Sequence, residues 1–151
     1  MADVSTNTEK HDNYTFLMRR LSRAIKSGFL LEAVLIEGSI IEDRVESFLR
    51  TAGKFNPERH STLDRKLSRL TELQRNKKDI VRKYVTEALL NSIYRWKEDR
   101  NAIIHALTKR NYTEEEIASI VEQGQNIVKA LNSKSTSYRR MMEKGQKGAN
   151  R

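Results

Sequence analysis

The sequence contains no cysteine, one proline and six glycines among its 151 residues. Without cysteine the chain can form neither a disulfide nor a zinc or iron–sulfur site with thiolate ligands. Its three histidines are too few for a cluster of histidine ligands, so we expect no metal and no other cofactor. The scarcity of turn residues also argues against a strand-rich fold, which needs frequent turns. The sequence therefore predicts helices.

Long hydrophobic runs are missing as well. The longest uncharged stretches, residues 88–94 and 101–108, are much shorter than the ~20 apolar residues needed to cross a bilayer. The first 14 residues are polar and lack the apolar segment of a secretory signal. We therefore expect a cytoplasmic protein with no membrane partner.

The net charge of +9 is unevenly distributed along the chain. Residues 133–151 contain six basic side chains and one acidic side chain, and residues 59–83 contain nine basic and three acidic ones. Such an excess favours a polyanionic partner, whose affinity should fall as the salt concentration rises. A solvated helix surface followed by a basic tail explains the same composition equally well.

Apolar residues recur at three- and four-residue steps, which predicts an all-α, single-domain antiparallel bundle of five to six helices. Residues 1–12 are expected to be disordered, residues 13–132 to form the bundle, and residues 133–151 to form a basic tail that is either flexible or an extension of the last helix. The predicted helices cover residues 14–27, 29–51, 61–75, 79–109 with an interruption near 91–92, and 113 onward.

Local signals support these boundaries. Gly28 is a predicted helix stop, and Ser61 or Thr62 is a predicted cap. Thr113 and Glu116 have the spacing of a capping box, in which each side chain can satisfy the other's free amide. Gly38 lies within a predicted helix, where it costs about 1 kcal/mol relative to alanine, so we expect it to permit close helix approach.

One predicted helical stripe is apolar except for a single arginine. A charge within a burying stripe is costly unless it meets an anion, so Arg100 is expected either to hold a phosphate or to pair with a core-facing carboxylate such as Glu37. Glu37, Glu42 and Glu46 are expected to be solvated or paired. The stripe consists of Leu89, Ile93, Trp96, Arg100, Ile103 and Leu107.

Asn101 and His105 are four residues apart, so they lie one above the other on an adjacent helix face. These residue types suit RNA cleavage without a metal. A histidine can accept the proton of the attacking 2′-hydroxyl or donate one to the leaving oxygen. An arginine can hold the phosphate, and an asparagine can orient either the histidine or the phosphate. A two-fold dimer would supply a second histidine and a second arginine.

The segment Arg100-Asn101-Ala102-Ile103-Ile104-His105 resembles the motif of HEPN ribonucleases, in which an arginine and a polar residue precede a histidine. The resemblance covers roughly residues 29–107 in helical layout and six residues in motif. It implies a small helical bundle, a homodimer with a composite cleft, and metal-independent endoribonuclease activity that leaves a 2′,3′-cyclic phosphate. By the motif, Arg100, Asn101 and His105 are the expected site residues.

Many HEPN proteins are toxins or phage-defence effectors, so the resemblance also implies an antitoxin or regulatory protein as a possible partner. Some HEPN toxins carry a tyrosine, two residues after the histidine, that an antitoxin modifies. This sequence has Leu107 at that position and departs from the pattern there.

Other interpretations stay open from the sequence alone. His105 could be a packed histidine near a helix end, and Trp96 is expected in the core. Lys97, Lys109 and Arg110 flank the motif and either contact RNA phosphates or form a solvated face. The alternative function is a non-catalytic helical module that binds protein or nucleic acid, as a HEPN-like adaptor or an antitoxin would.

Overall fold

The structure, a computed structural model, describes residues 7–109 and 111–149. Within those ranges it contains helices and no strand, which confirms the predicted all-helical class. A short 3₁₀ helix, Ile80–Lys83, precedes the fourth α-helix. The five α-helices are α1 (Asn7–Lys26), α2 (Leu30–Thr51), α3 (Leu63–Arg75), α4 (Glu87–Ala106) and α5 (Glu114–Ala149).

Three threonines begin helices by accepting a hydrogen bond from a backbone amide three residues later. Thr62 Oγ1 accepts from the amide of Arg65 at the start of α3, at 3.3 Å. Thr86 does the same at 3.1 Å for α4, and Thr113 at 3.2 Å for α5. Gly28 ends α1 with a φ of +76°, a conformation that glycine adopts without steric cost. The predicted caps at Thr62 and Thr113 and the predicted stop at Gly28 are thus confirmed.

The interruption between the 3₁₀ helix and α4 lies at residues 84–86, earlier than the predicted break near residues 91–92. Buried Val81 and Val85 fix this segment against the core. Asp79 Oδ1 accepts from the amide of Val81 at 2.9 Å and begins the 3₁₀ helix. Ser92 lies within α4, and its hydroxyl donates to the carbonyl of Ala88, one turn earlier, at 3.0 Å.

The first helix starts earlier than the sequence predicts. Residues 7–12, expected to be disordered, form the first part of α1. They lie beside α2, where Lys10 Nζ is 3.3 Å from a carboxylate oxygen of Asp43. Residues 1–6 lie outside the described residues.

The basic tail continues α5 without a break as far as Ala149, so the structure shows the helical extension rather than a flexible segment. Tyr138 is buried, and its ring centroid is 5.9 Å from that of Phe48 and 5.2 Å from that of Tyr84. Ser135 is also buried. The core therefore extends past residue 132, the predicted end of the bundle.

Helix α2 lies at the centre of the bundle. It runs antiparallel to α1, because Lys10 contacts Asp43 whereas Arg20 contacts Glu32. It runs parallel to α5, since Glu37 lies at Gly124 and Phe48 stacks with Tyr138. The predicted antiparallel arrangement thus holds for α1 and α2 but not for α2 and α5.

The core is built from aliphatic side chains of all five helices together with Phe48, Trp96 and Tyr138. None of the helices described is long and apolar enough to traverse a bilayer.

Helix α5 approaches α2 closely at Gly124. A methyl group at this position would overlap the carboxyl group of Glu37. We expect Gly124→Ala to lower the free energy of unfolding by about 1–3 kcal/mol, as overpacking typically does. Urea denaturation measures the change, and the Glu37→Ala background should remove most of it because the overlapping carboxyl group is absent.

Gly145 supplies the matched control on the same helix. An added methyl group there would meet no atom within 4 Å. Gly145→Ala should therefore raise stability by up to about 1 kcal/mol through helix propensity alone. Equal effects of the two substitutions would contradict the packing assigned to Gly124.

Candidate functional site

Arg100 lies in the second half of α4 and is half-buried against α2. Its guanidinium carbon is 5.3 Å from the centroid of the Trp96 ring, within the range of a cation–π interaction. Trp96 itself is fully buried, and its Nε1 donates to the carbonyl of Ile120 at 3.2 Å. Trp96 is thus a core residue, as predicted, and it supports one side of the arginine.

Gly38 provides the space on α2 that Arg100 occupies. A Cβ atom at this position would be 3.2 Å from Nη1 of Arg100 and 3.6 Å from the Trp96 ring. A larger side chain would push the guanidinium away from α2. The predicted role of Gly38 in close helix approach is thereby confirmed.

Asn101 contacts the arginine rather than the histidine. Its Oδ1 accepts from Nη2 of Arg100 at 3.0 Å and from Nε at 3.3 Å. These two bonds fix the plane of the guanidinium group while Nη1 makes no hydrogen bond within the described part of the chain. The sequence left two roles open for Asn101, to orient the histidine or to orient a phosphate. The structure shows neither contact, and it shows instead that Asn101 positions Arg100.

His105 lies on the last turn of α4 and is exposed to solvent. It makes no hydrogen bond within residues 7–109 and 111–149, so the imidazole is not a packed core group. Ile104 directly before it is 41% exposed, and Leu107 two residues after it is 45% exposed, although the sequence places Leu107 in the burying stripe. The imidazole thus stands on an exposed, partly apolar surface.

The structure does not bring Arg100 and His105 into contact within one chain. Five residues of helix separate them by about 7.5 Å along the axis and about 140° around it. Arg100 faces α2, whereas His105 faces solvent. A cleft that uses both groups must be completed by something outside this chain's described residues, such as a ligand or a second copy.

No carboxylate pairs with Arg100 in the part of the chain that the structure describes. Glu37, on α2 next to Gly38, is the carboxylate that the sequence suggests for this pairing. Its side chain is fully buried, and both of its oxygens lack a hydrogen-bond partner among the described residues. The guanidinium group of Arg100 therefore packs at Gly38, the residue after Glu37, without forming an ion pair with the Glu37 carboxyl group.

Burial raises the pKa of Glu37 from its usual 4.5 to about 8, because the ionised form would lose its hydration. The expectation that Glu37, Glu42 and Glu46 are all solvated or paired is wrong for Glu37. It holds for the other two, whose carboxylates lie 2.8 Å and 3.4 Å from Nζ of Lys66. Among the three glutamates, sequence spacing places Glu37 closest to the apolar side of α2. This position is the signal in the sequence from which its burial could have been predicted.

The three flanking cations differ in their surroundings. Lys97 forms an ion pair with Asp64 of α3, and its Nζ is 5.2 Å from the centroid of the Tyr94 ring. Lys109 is exposed and follows the end of α4. Arg110 lies outside the described residues. Lys97 would have to exchange its carboxylate partner before it could contact a phosphate.

Comparison of the chain with known proteins yields no match, whether to a protein-family model, to a curated protein or to a solved structure.

Glu37 makes stability depend on pH. A carboxyl group whose pKa is raised in the folded state contributes stability that is complete below pH 4.5 and is lost as the pH rises to about 8. The loss is about 1.4 kcal/mol per pH unit at most. We expect Glu37→Gln, which cannot ionise, to remove this slope when urea denaturation is measured from pH 5 to 8.5.

The same substitution at Glu58 is the control, because that carboxylate is exposed in the folded state and in the unfolded state alike. Glu58→Gln should keep the wild-type slope. An unchanged slope in Glu37→Gln would show that the buried carboxyl group does not retain its proton.

Proposed function

We propose that the protein is a metal-independent endoribonuclease of the HEPN type, acting as a toxin or defence effector, with Arg100, Asn101 and His105 as its site. One observation carries the proposal. A half-buried arginine, supported by Trp96 and oriented by Asn101, has no carboxylate partner in the described part of the chain and stands five residues before an exposed imidazole.

The chemistry follows from the two groups. The imidazole of His105 accepts the proton of a ribose 2′-hydroxyl, whose oxygen then attacks the adjacent phosphorus. The bond from phosphorus to the 5′-oxygen breaks, and that oxygen takes a proton from an imidazolium. Arg100 donates hydrogen bonds to the phosphate oxygens, where negative charge increases in the transition state. The product chain ends in a 2′,3′-cyclic phosphate.

A second copy of the chain completes this cleft in our proposal. One chain offers one imidazole at the site, whereas the reaction benefits from both a base and an acid. Exposed Ile104 and Leu107 are three residues apart on one side of the helix end that carries His105, and they give a partner copy an apolar surface to cover. A two-fold axis near these residues would place two imidazoles and two guanidinium groups along one phosphate path.

The alternative is a helical module that binds RNA or protein without cleaving it, as an adaptor or antitoxin would. The separation of Arg100 from His105 within one chain is the observation that favours it. Glu98 and Asp99 directly precede the arginine and could neutralise it, but neither forms an ion pair with it in the described residues. Binding of RNA without cleavage would favour this alternative.

His105→Ala should reduce cleavage of single-stranded RNA by at least about 100-fold, because loss of a general acid–base group typically costs that much. The measurement is the rate of cleavage of a random-sequence RNA pool in EDTA, with the product ends tested for cyclic phosphate. EDTA should not reduce the wild-type rate.

His11→Ala is the matched control, since His11 is an exposed histidine on α1. It should cleave at the wild-type rate. If His105→Ala is folded by circular dichroism and still cuts RNA as fast as the wild type, the assignment of the site is wrong.

Two charges on the proposed dimer surface should separate the copies. We expect Ile104→Glu combined with Leu107→Glu to give a monomer of 17.6 kDa by light scattering, where the wild type has twice that mass. RNA cleavage should disappear together with the dimer because the cleft is shared. A wild type that cleaves RNA as a monomer would overturn the shared cleft.

Phe16→Glu is the control for this experiment. Phe16 is 58% exposed on α1, and one glutamate placed there should leave both mass and cleavage unchanged.

A further inference from the structure

A cavity of about 680 Å³ lies between the loop of residues 53–60 and one face of α3. Its size is within the range of small-molecule sites. None of the proposed site residues of α4 lines it, so it is a separate feature of the molecule. It belongs in part to the basic stretch of residues 59–83, which the proposed ribonuclease site does not use.

The walls of the cavity carry an excess of positive charge. Four cationic side chains line it, together with one carboxylate, that of Glu72. Glu72 is already 2.7 Å from Nη1 of Arg69. The other three cations, Lys54, Arg59 and Arg65, have no ion pair in the part of the chain that the structure describes. Three uncompensated charges facing one concave surface repel each other, and a polyvalent anion would relieve that repulsion.

Two aromatic rings, Phe55 and His60, lie beside these cations with their centroids 6.0 Å apart. The guanidinium carbon of Arg50 is 4.3 Å from the Phe55 centroid and holds the ring at the end of α2. The cavity thus offers the apolar ring of Phe55 and the flat imidazole of His60 next to its charges.

The loop is fixed by its own hydrogen bonds. The amide of Asn56 donates to Nδ1 of His60 at 2.9 Å, and the amide of His60 donates to the carbonyl of Asn56 at 2.8 Å. Oδ1 of Asn56 accepts from the amides of Glu58 and Arg59. Because Nδ1 of His60 is an acceptor, a neutral imidazole carries its proton on Nε2 and can donate a hydrogen bond from there. A ligand would therefore meet a preorganised wall.

We propose that this cavity binds a nucleotide through its phosphate, with Arg59, Arg65 and Lys54 around the phosphate and Phe55 against the base. Arginine suits phosphate because its planar group donates two parallel hydrogen bonds. Aromatic rings beside cations are the pattern by which proteins hold the bases and backbone of single strands. The nucleotide is either free or one unit of a single-stranded RNA, and the phosphate chemistry is the same for both.

The test measures binding to the full chain carrying His105→Ala, so that no RNA is cleaved. The probe is a short fluorescein-labelled oligoadenylate, followed by fluorescence anisotropy over a range of salt concentrations. We expect Arg59→Gln combined with Arg65→Gln to weaken binding at least about tenfold. The salt slope should become shallower by at most about 0.7, because both arginines surround one phosphate and each neutralised phosphate of a single strand contributes about 0.7.

Arg19→Gln combined with Arg23→Gln is the matched control. Both arginines are exposed and line a different concave surface on α1, so the pair removes the same charge elsewhere. This control should bind the probe as the parent does. Equal weakening by the two double variants, or no weakening by the first, would overturn the proposal.

Competition then identifies the source of the nucleotide. Displacement of the probe by AMP but not by adenosine indicates a site for free nucleotides, whereas displacement by unlabelled oligoadenylate alone indicates an RNA strand. Adenosine that competes as well as AMP would overturn phosphate recognition. RNA cleavage by the wild type is a separate measurement, so failure of the ribonuclease proposal and failure of this one give different results.

Discussion

The contact of α2 with two other helices at adjacent residues is the constraint on which the rest of the structure depends. At Glu37, helix α2 meets Gly124 of α5, and at Gly38 it meets Arg100 and Trp96 of α4. In each contact a glycine leaves room for the ionisable side chain of the facing helix. The acid is accommodated at one interface and the arginine at the other, and they do not neutralise each other. An arginine with no carboxylate partner among the residues that the structure describes therefore remains available at the edge of the core.

Much of the fold could be predicted from local sequence. The helical class follows from the apolar spacing, and the caps at Thr62 and Thr113 follow from side chains that bond amides only three residues away. The predictions that fail are those that depend on contacts between residues far apart in the sequence. Residues 133–149 look like a polar tail, yet Tyr138 is buried because it meets Phe48 and Tyr84, which no local pattern specifies. The parallel arrangement of α2 and α5 is likewise a property of tertiary packing.

At the candidate site, too, local spacing predicts some features and packing between distant residues decides the others. Spacing alone identifies Arg100 as a lone charge in an apolar stripe and predicts close approach at Gly38. The structure confirms the approach at Gly38 and buries Trp96 and Ile103 of the stripe, whereas Leu107 is 45% exposed. Helical geometry could not reveal which neighbour Asn101 bonds, because that depends on rotamers set by α2. The burial of Glu37 depends on Gly124, which is far away in the sequence. The basic composition of residues 59–83 is evident, but its concentration around one cavity requires the loop at residues 53–60 to fold back on α3.

The buried carboxyl group of Glu37 also changes the electrostatic account of the whole molecule. The formal charge of +9 counts this group as ionised, whereas with a pKa of about 8 it is largely neutral at pH 7, so the folded chain carries nine plus one, close to +10. The unfolded chain, with an ordinary carboxyl group, carries one positive charge fewer. Folding in neutral solution is therefore coupled to the uptake of about one proton from the buffer, and the folded protein attracts polyanions slightly more strongly than its sequence suggests.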